Sequence, residues 1–196
     1  MKFLKDNSYD IVRLFINQCG ITIFALVLYF PFGTFEDKAF GANMQTAVSV
    51  LATAFYLFLL YSAAWEFGSV DRMRSDSGKI SLNRFKGTIM SLVANIPNFL
   101  IAGGALVSIL IAGSTQSDVA YTAFGILNTL MRFLSAMYIG VLRGLFDFLS
   151  NDNVAYLTSQ TIGYLVLPLL SVIVVSIGYV VGTHQFKVFA SKKKYD

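Results

Sequence analysis

The chain has almost none of the side chains from which catalytic centres are usually built. Cysteine occurs once, at Cys19, and histidine once, at His184. That excludes an internal disulfide and a cysteine-based metal cluster. His184 lies at the end of the last apolar run, where an interfacial or capping role is expected rather than catalysis. Only 13% of the 196 residues are charged, about half of what a soluble domain carries. There is no H-E-x-x-H zinc motif and no G-x-S-x-G nucleophile elbow. The run "SDSGKIS" imitates a phosphate loop, but Ile80 follows Lys79 and the upstream glycine is missing. Glu66, Asp71 and Asp76 interleave with Arg72 and Arg74, which favours mutual charge pairing over oxygens converging on a hard cation. An enzyme, a bound metal and a cofactor are therefore not expected, because acid–base chemistry needs titratable groups that this interior hardly supplies.

What the chain does have is apolar length. Hydrophobic residues make up 56% of it, and residues 14–35, 39–65, 87–117 and 153–186 contain no Asp, Glu, Lys or Arg. A membrane-spanning helix needs about 20 predominantly apolar residues. The runs are continuously apolar rather than alternating, which disfavours a membrane β-barrel. The expected fold is all-α: a polytopic integral membrane helical bundle, one transmembrane domain over residues 1–196. No repeat of fixed period and no interdomain linker interrupts it. The first run ends in "YFPFGTFEDK", without the small-residue pattern of a cleaved signal peptide, and is read as a retained span.

Five hydrophobic segments can be drawn, at 14–32, 45–65, 88–112, 119–149 and 159–183. Between the second and third, a cytoplasmic loop at 66–87 carries Arg72, Arg74, Lys79, Arg84 and Lys86 against three acids, and such an excess marks the cytoplasmic side. The net charge of +4 would suggest nucleic acid in a soluble protein. Here the basic residues flank spans, so no nucleic-acid partner is expected and the bilayer is the first partner. Lys2, Lys5 and Arg13 place the N-terminus in the cytoplasm, and the four lysines of "HQFKVFASKKKYD" place the C-terminus there too. Five full crossings would put the two termini on opposite sides. The fourth segment resolves the conflict if it is re-entrant or interfacial, since Arg132 and Arg143 interrupt it and its 31 residues are too few for two crossings. A helix there would align Arg132, Ser135, Ala136, Gly140, Arg143 and Asp147 in one polar stripe, with Asp147 one turn from Arg143. A long tilted fifth span with an external tail is the alternative.

The stretch "LVANIPNFLIAGG" sets two amides and a proline inside a lipid-like run. Pro97 lacks an amide hydrogen and crowds the carbonyl of Val93, which predicts a helix break near mid-membrane. Ser91, Asn95, Asn98, Ala102 and Ala105 fall on one face. Pro168 predicts a second break, freeing the carbonyl of Tyr164, while Gly178 and Gly182 form a GxxxG contact edge. Asn95, Asn98, Ser91, Arg132 and Tyr164 are the candidate solute-binding residues, with helix breaks at Pro97 and Pro168. The other reading makes the asparagines glue between helices and lets Arg132 snorkel to headgroups.

The segment "WEFGSVDRMRSDSGKISLNRFKGTIMSLVANIPNFL" resembles a family of small, uncharacterised polytopic membrane proteins of Gram-positive bacteria. The features that carry the resemblance are Trp65-Glu66, Gly68, Asp71, Lys86-Gly87, Asn95, Pro97 and Asn98, within about a fifth of the chain. It implies a bacterial plasma membrane and no particular chemistry. The expected function is transport-related, as a permease-like unit or the membrane subunit of a transporter, with a polar midplane site for a small polar or anionic solute. The alternative is a non-transporting assembly or regulatory subunit that docks a partner through Arg72, Arg74 and Arg84. At this size, self-association or a partner membrane or cytoplasmic subunit is expected in either case.

Overall fold

The computed structural model describes residues 2–32, 38–146 and 153–184. Eight α-helices account for nearly all of them: α1 (Lys2–Asp6), α2 (Ser8–Phe32), α3 (Lys38–Asp76), α4 (Lys86–Ala94), α5 (Ile96–Thr115), α6 (Asp118–Leu134), α7 (Ile139–Phe146) and α8 (Asn153–Thr183), with a 3₁₀ turn at Ala136–Tyr138 between α6 and α7. Four of them, α2, α3, α5 and α8, are long and apolar enough to cross a membrane. The chain is a multi-pass membrane protein with an all-α bundle, as its composition requires.

Side-chain contacts fix the direction of each helix. Arg13 near the start of α2 meets Glu66 in the second half of α3, so α2 and α3 are antiparallel. Along α3 and α8, Tyr61 lies against Gly178 and Trp65 against Gly182, so these two run parallel. Gly87 of α4 touches Tyr179, and Asn95 bonds Ser171, so the α4–α5 pair runs against α8. The start of α2, the end of α3, the start of α4 and the end of α8 thus gather at one end of the bundle.

The fourth hydrophobic segment is broken. α6 and the helix that follows it meet at 88°, and the polar stripe drawn from Arg132 to Arg143 is divided between two axes. Gly113 near the end of α5 packs against Val154 at the start of α8, 3.6 Å from where a Cβ would sit. The end of α5 and the start of α8 therefore lie at one end of the bundle, with α6 and α7 as a bent pair between them, the geometry of a re-entrant hairpin. At about 1.5 Å per residue, the 17 residues of α6 reach about 25 Å into the bundle.

Two boundaries differ from those expected. The expected loop over 66–87 is helical as far as Asp76, because α3 continues for 39 residues, about 58 Å against a hydrocarbon core of about 30 Å. An i,i+4 pair between Arg72 and Asp76 supports the overhang, and Gly78, with φ of +70°, turns the chain out of it. Near Pro97 the helix does break, at Asn95 (φ −91°, ψ 0°), with Pro97 in the first turn of α5, where the missing amide hydrogen costs nothing. Pro168 causes no such interruption: α8 is helical throughout, and the Ser171 hydroxyl donates to the Pro168 carbonyl at 2.6 Å.

The parallel α3–α8 pair depends on glycine. A Cβ on Gly182 would collide with the backbone of Trp65, and one on Gly178 would lie 2.8 Å from the Tyr61 carbonyl. Gly103 of α5 has nothing within 4 Å of the same position. Gly182→Ala should lower unfolding stability in detergent by about 1–3 kcal/mol through overpacking. Gly103→Ala should be neutral or stabilising by up to about 1 kcal/mol through helix propensity. Denaturant titrations of the two variants read the contrast directly.

Candidate functional site

The candidate residues divide into two groups. The first is a closed amide network. Ser91, Asn95 and Asn98 are buried, together with Ala102 and Ala105 on the same face. Gln18 of α2 and Asn98 of α5 exchange two hydrogen bonds, Nε2 to Oδ1 at 3.0 Å and Nδ2 to Oε1 at 2.9 Å. Asn98 Nδ2 also donates to Asn95 Oδ1 at 2.9 Å. Asn95 Nδ2 donates to the Ser91 carbonyl at 2.9 Å and to Ser171 Oγ of α8 at 3.0 Å. Gln18 Nε2 makes its second bond to the Leu134 carbonyl at 3.3 Å. All six amide N–H donors of the three side chains are therefore committed to protein partners, which satisfies groups that lipid cannot.

That network adjoins the break between α6 and α7. Four backbone groups there leave the helical ladder and find side chains from α2 and α3. The Leu134 carbonyl accepts from Thr22 at 2.9 Å as well as from Gln18. The Met137 carbonyl accepts from Ser49 and, at 3.2 Å, from Thr53. The Gly140 amide donates to the Tyr29 hydroxyl at 2.9 Å, and the Val141 amide donates to Ser49 Oγ at 3.2 Å. Gly140 is required by the approach itself, because a Cβ would stand 2.6 Å from the Gln45 carbonyl. Unwound backbone at membrane depth is tolerated only where protein or a wet cavity receives it, and here protein receives it.

The second group surrounds Arg132 in the last turn of α6, where a cation complements the helix dipole. Its Nη2 donates to Gln160 Oε1 of α8 at 2.9 Å and its Nε to Asn128 Oδ1 at 3.3 Å. Both partners are neutral, and the guanidinium forms no ion pair among the described residues. Described residues engage two of its five N–H donors. Tyr164, one helical turn beyond Gln160 and only 3% exposed, lies within electrostatic reach of Arg132, and its hydroxyl makes no hydrogen bond with a described residue. Arg143 of α7 is separate and donates to Gln45 Oε1 at 3.3 Å. Its expected partner Asp147 lies outside the described residues.

The structure thus brings Ser91, Asn95 and Asn98 together, and Arg132 with Tyr164, as two neighbouring sets. It adds Gln18, Gln160, Thr22, Tyr29, Ser49 and Thr53, none of which the sequence reading singled out. Gln18 and Gln160 had a visible signal, a polar residue inside a charge-free run. The hydroxyls had none, since Ser and Thr are ordinary in membrane helices. Arg72, Arg74 and Arg84 stand apart from both sets, exposed at the far end of α3 and in the connector that follows it.

At that end Asp71, 3% exposed, accepts from Lys86 Nζ at 2.6 Å and from the Tyr179 hydroxyl at 2.8 Å. This joins α3, α4 and α8. Arg13 pairs with Glu66 at 2.8 Å and lies over the Phe67 ring, 5.4 Å from its centroid. No family model matches the chain, and no curated protein or solved structure does either.

Asn98→Leu should destabilise the bundle by about 1–3 kcal/mol, because Gln18 and Asn95 each lose a buried partner. In a Gln18→Leu background the same change should cost clearly less, the pair acting as one unit. A double-mutant cycle in detergent measures both. Additive costs would show that the two amides do not depend on each other.

Proposed function

We propose that this chain is a transport-related protein of a bacterial plasma membrane, a permease-like unit or the membrane subunit of a transporter, in which the α6–α7 hairpin presents Arg132 to a small anionic solute. The observation that carries the reading is that the guanidinium has no acidic partner among the described residues. An arginine within a membrane helix costs about 2.5–3.5 kcal/mol on insertion scales unless something compensates it. Gln160 and Asn128 hydrogen-bond Arg132 without neutralising it, while the Tyr164 hydroxyl close by retains a donor. A carboxylate or another small oxyanion would supply the missing charge and engage the guanidinium by two parallel N–H bonds.

The re-entrant geometry supports the same reading. Broken helices with backbone held at depth are a recurring feature of solute sites in transporters. In this reading Asn95, Asn98 and Ser91 form the frame that holds the break, and Arg132, Gln160 and Tyr164 meet the solute. The end that carries Lys5, Arg13, Arg72, Arg74, Lys79, Arg84 and Lys86 faces the cytoplasm by its basic excess. That gives four crossings with both ends of the described chain inside, and a hairpin that opens to the outside. No catalytic step is assigned, and self-association or a partner subunit completes the transport path.

Thermal unfolding of the purified full chain against a panel of small carboxylates, phosphates and sulfonates tests the reading. At least one anion should raise the midpoint in a saturable way. Arg132→Gln and Tyr164→Phe should each weaken that anion's apparent affinity by about tenfold or more, the loss of a charge-assisted hydrogen bond. If the stabilisation survives Arg132→Gln unchanged, the solute site lies elsewhere.

A further inference from the structure

The ion pairs at the C-terminal end of α3 leave an uneven remainder. Every acid between Glu66 and Asp76 is committed: Glu66 to Arg13, Asp71 to Lys86 and Asp76 to Arg72. Arg74, Lys79 and Arg84 form no ion pair with a described residue, and all three are exposed. The turn after α3 gathers two of them, since the Lys79 amide donates to the Arg74 carbonyl at 3.0 Å. Large apolar side chains are exposed in the same stretch: Phe85 at 72%, Met73 at 56% and Ile80 at 38%.

The height of this face along the bundle is fixed. Arg84 and Phe85, followed by Lys86, directly precede the charge-free run that opens at Gly87, so they stand at its boundary. The Lys86–Asp71 pair holds α3 at the same level. Arg74 is three residues beyond Asp71, about 4.5 Å along the axis, within a headgroup layer about 5–7 Å deep on each side of the hydrocarbon core. Three unneutralised cations interleaved with apolar side chains in that layer match the chemistry of an acidic lipid surface, which attracts basic residues and accepts aromatic and aliphatic ones at its boundary.

We propose that Arg74, Lys79 and Arg84 bind acidic phospholipid headgroups of the leaflet that the helices cross, with Phe85 and Ile80 seated at the acyl boundary. The lipid then extends the Asp71–Lys86–Tyr179 junction outward and holds the 77–85 connector against the membrane. The reading is independent of the solute site at Arg132.

The test uses the full chain in nanodiscs of phosphatidylcholine with and without phosphatidylglycerol. Spin-labelled versions of the two lipids report their relative association with the protein. The native chain should favour phosphatidylglycerol several-fold, and the preference should fall steeply with salt, as exposed charge pairs are screened. The triple variant Arg74→Gln, Lys79→Gln, Arg84→Gln should bring the ratio close to one while its unfolding midpoint in phosphatidylcholine alone stays unchanged, since none of the three forms an ion pair with a described residue. Arg143→Gln, at the opposite end, should keep the native ratio. An unchanged ratio in the triple variant overturns the proposal. So does protection of a cysteine at Asn83, in a Cys19→Ser background, from thiol reagents in native membranes but not in acidic nanodiscs, which would assign the face to a protein partner.

Discussion

A backbone carbonyl in hydrocarbon has no water to accept from, and the arrangement of this molecule follows from how Leu134 and Met137 escape that condition. Their carbonyls leave the helical ladder where α6 turns through 88°, and an unmet group at such depth costs several kcal/mol. Gln18, Thr22, Ser49 and Thr53 supply the donors, while Tyr29 and Ser49 accept from the two amides beyond the turn. The break is therefore a shared property of α2, α3 and the hairpin. None of these helices holds it alone.

Gln18 links this cap to the amides of α4 and α5. It bonds the Leu134 carbonyl with one amide hydrogen and Asn98 with the other, and Asn95 carries the connection on to Ser171 of α8. A shift of the hairpin tip would thus be felt across three crossing helices. Arg132 sits in the last turn before the tip and is anchored to α8 through Gln160. A ligand drawing on the guanidinium would act on the same joint, which gives the proposed solute site a mechanical route into the bundle.

Much of this was legible in the sequence, and the reasons are physical. Charge-free runs longer than the hydrocarbon core announced the spanning helices, and GxxxG spacing in the last run announced a close helix contact. Asn95 and Asn98 stood out because amides in lipid must find partners, and Pro97 marked a break that lies two residues before it. Arg132 and Arg143 set the fourth segment apart from the uninterrupted runs, and that segment is the one bent by 88°. What the sequence did not show was where that segment turns. No proline lies near Ser135, and the turn exists only because side chains more than 80 positions away reach the freed backbone groups. Pro168 gave the opposite lesson: its missing amide hydrogen alone did not interrupt α8. Gln18 and Gln160 carried the same signal as the asparagines, but nothing local says which helix such a residue will meet.

Side-resolved thiol labelling tests the central claim, that the chain between α5 and α8 enters the bundle and comes back out on the same side. In a Cys19→Ser background, single cysteines at Val119 near the start of α6, at Leu145 near the end of α7 and at Asn83 in the connector after α3 would be exposed to a membrane-impermeant reagent in intact cells and in inverted vesicles. The account predicts that Val119 and Leu145 react from one side and Asn83 from the other. Labelling of Val119 and Leu145 from opposite sides would make the segment a full crossing and contradict the re-entrant hairpin on which the site rests.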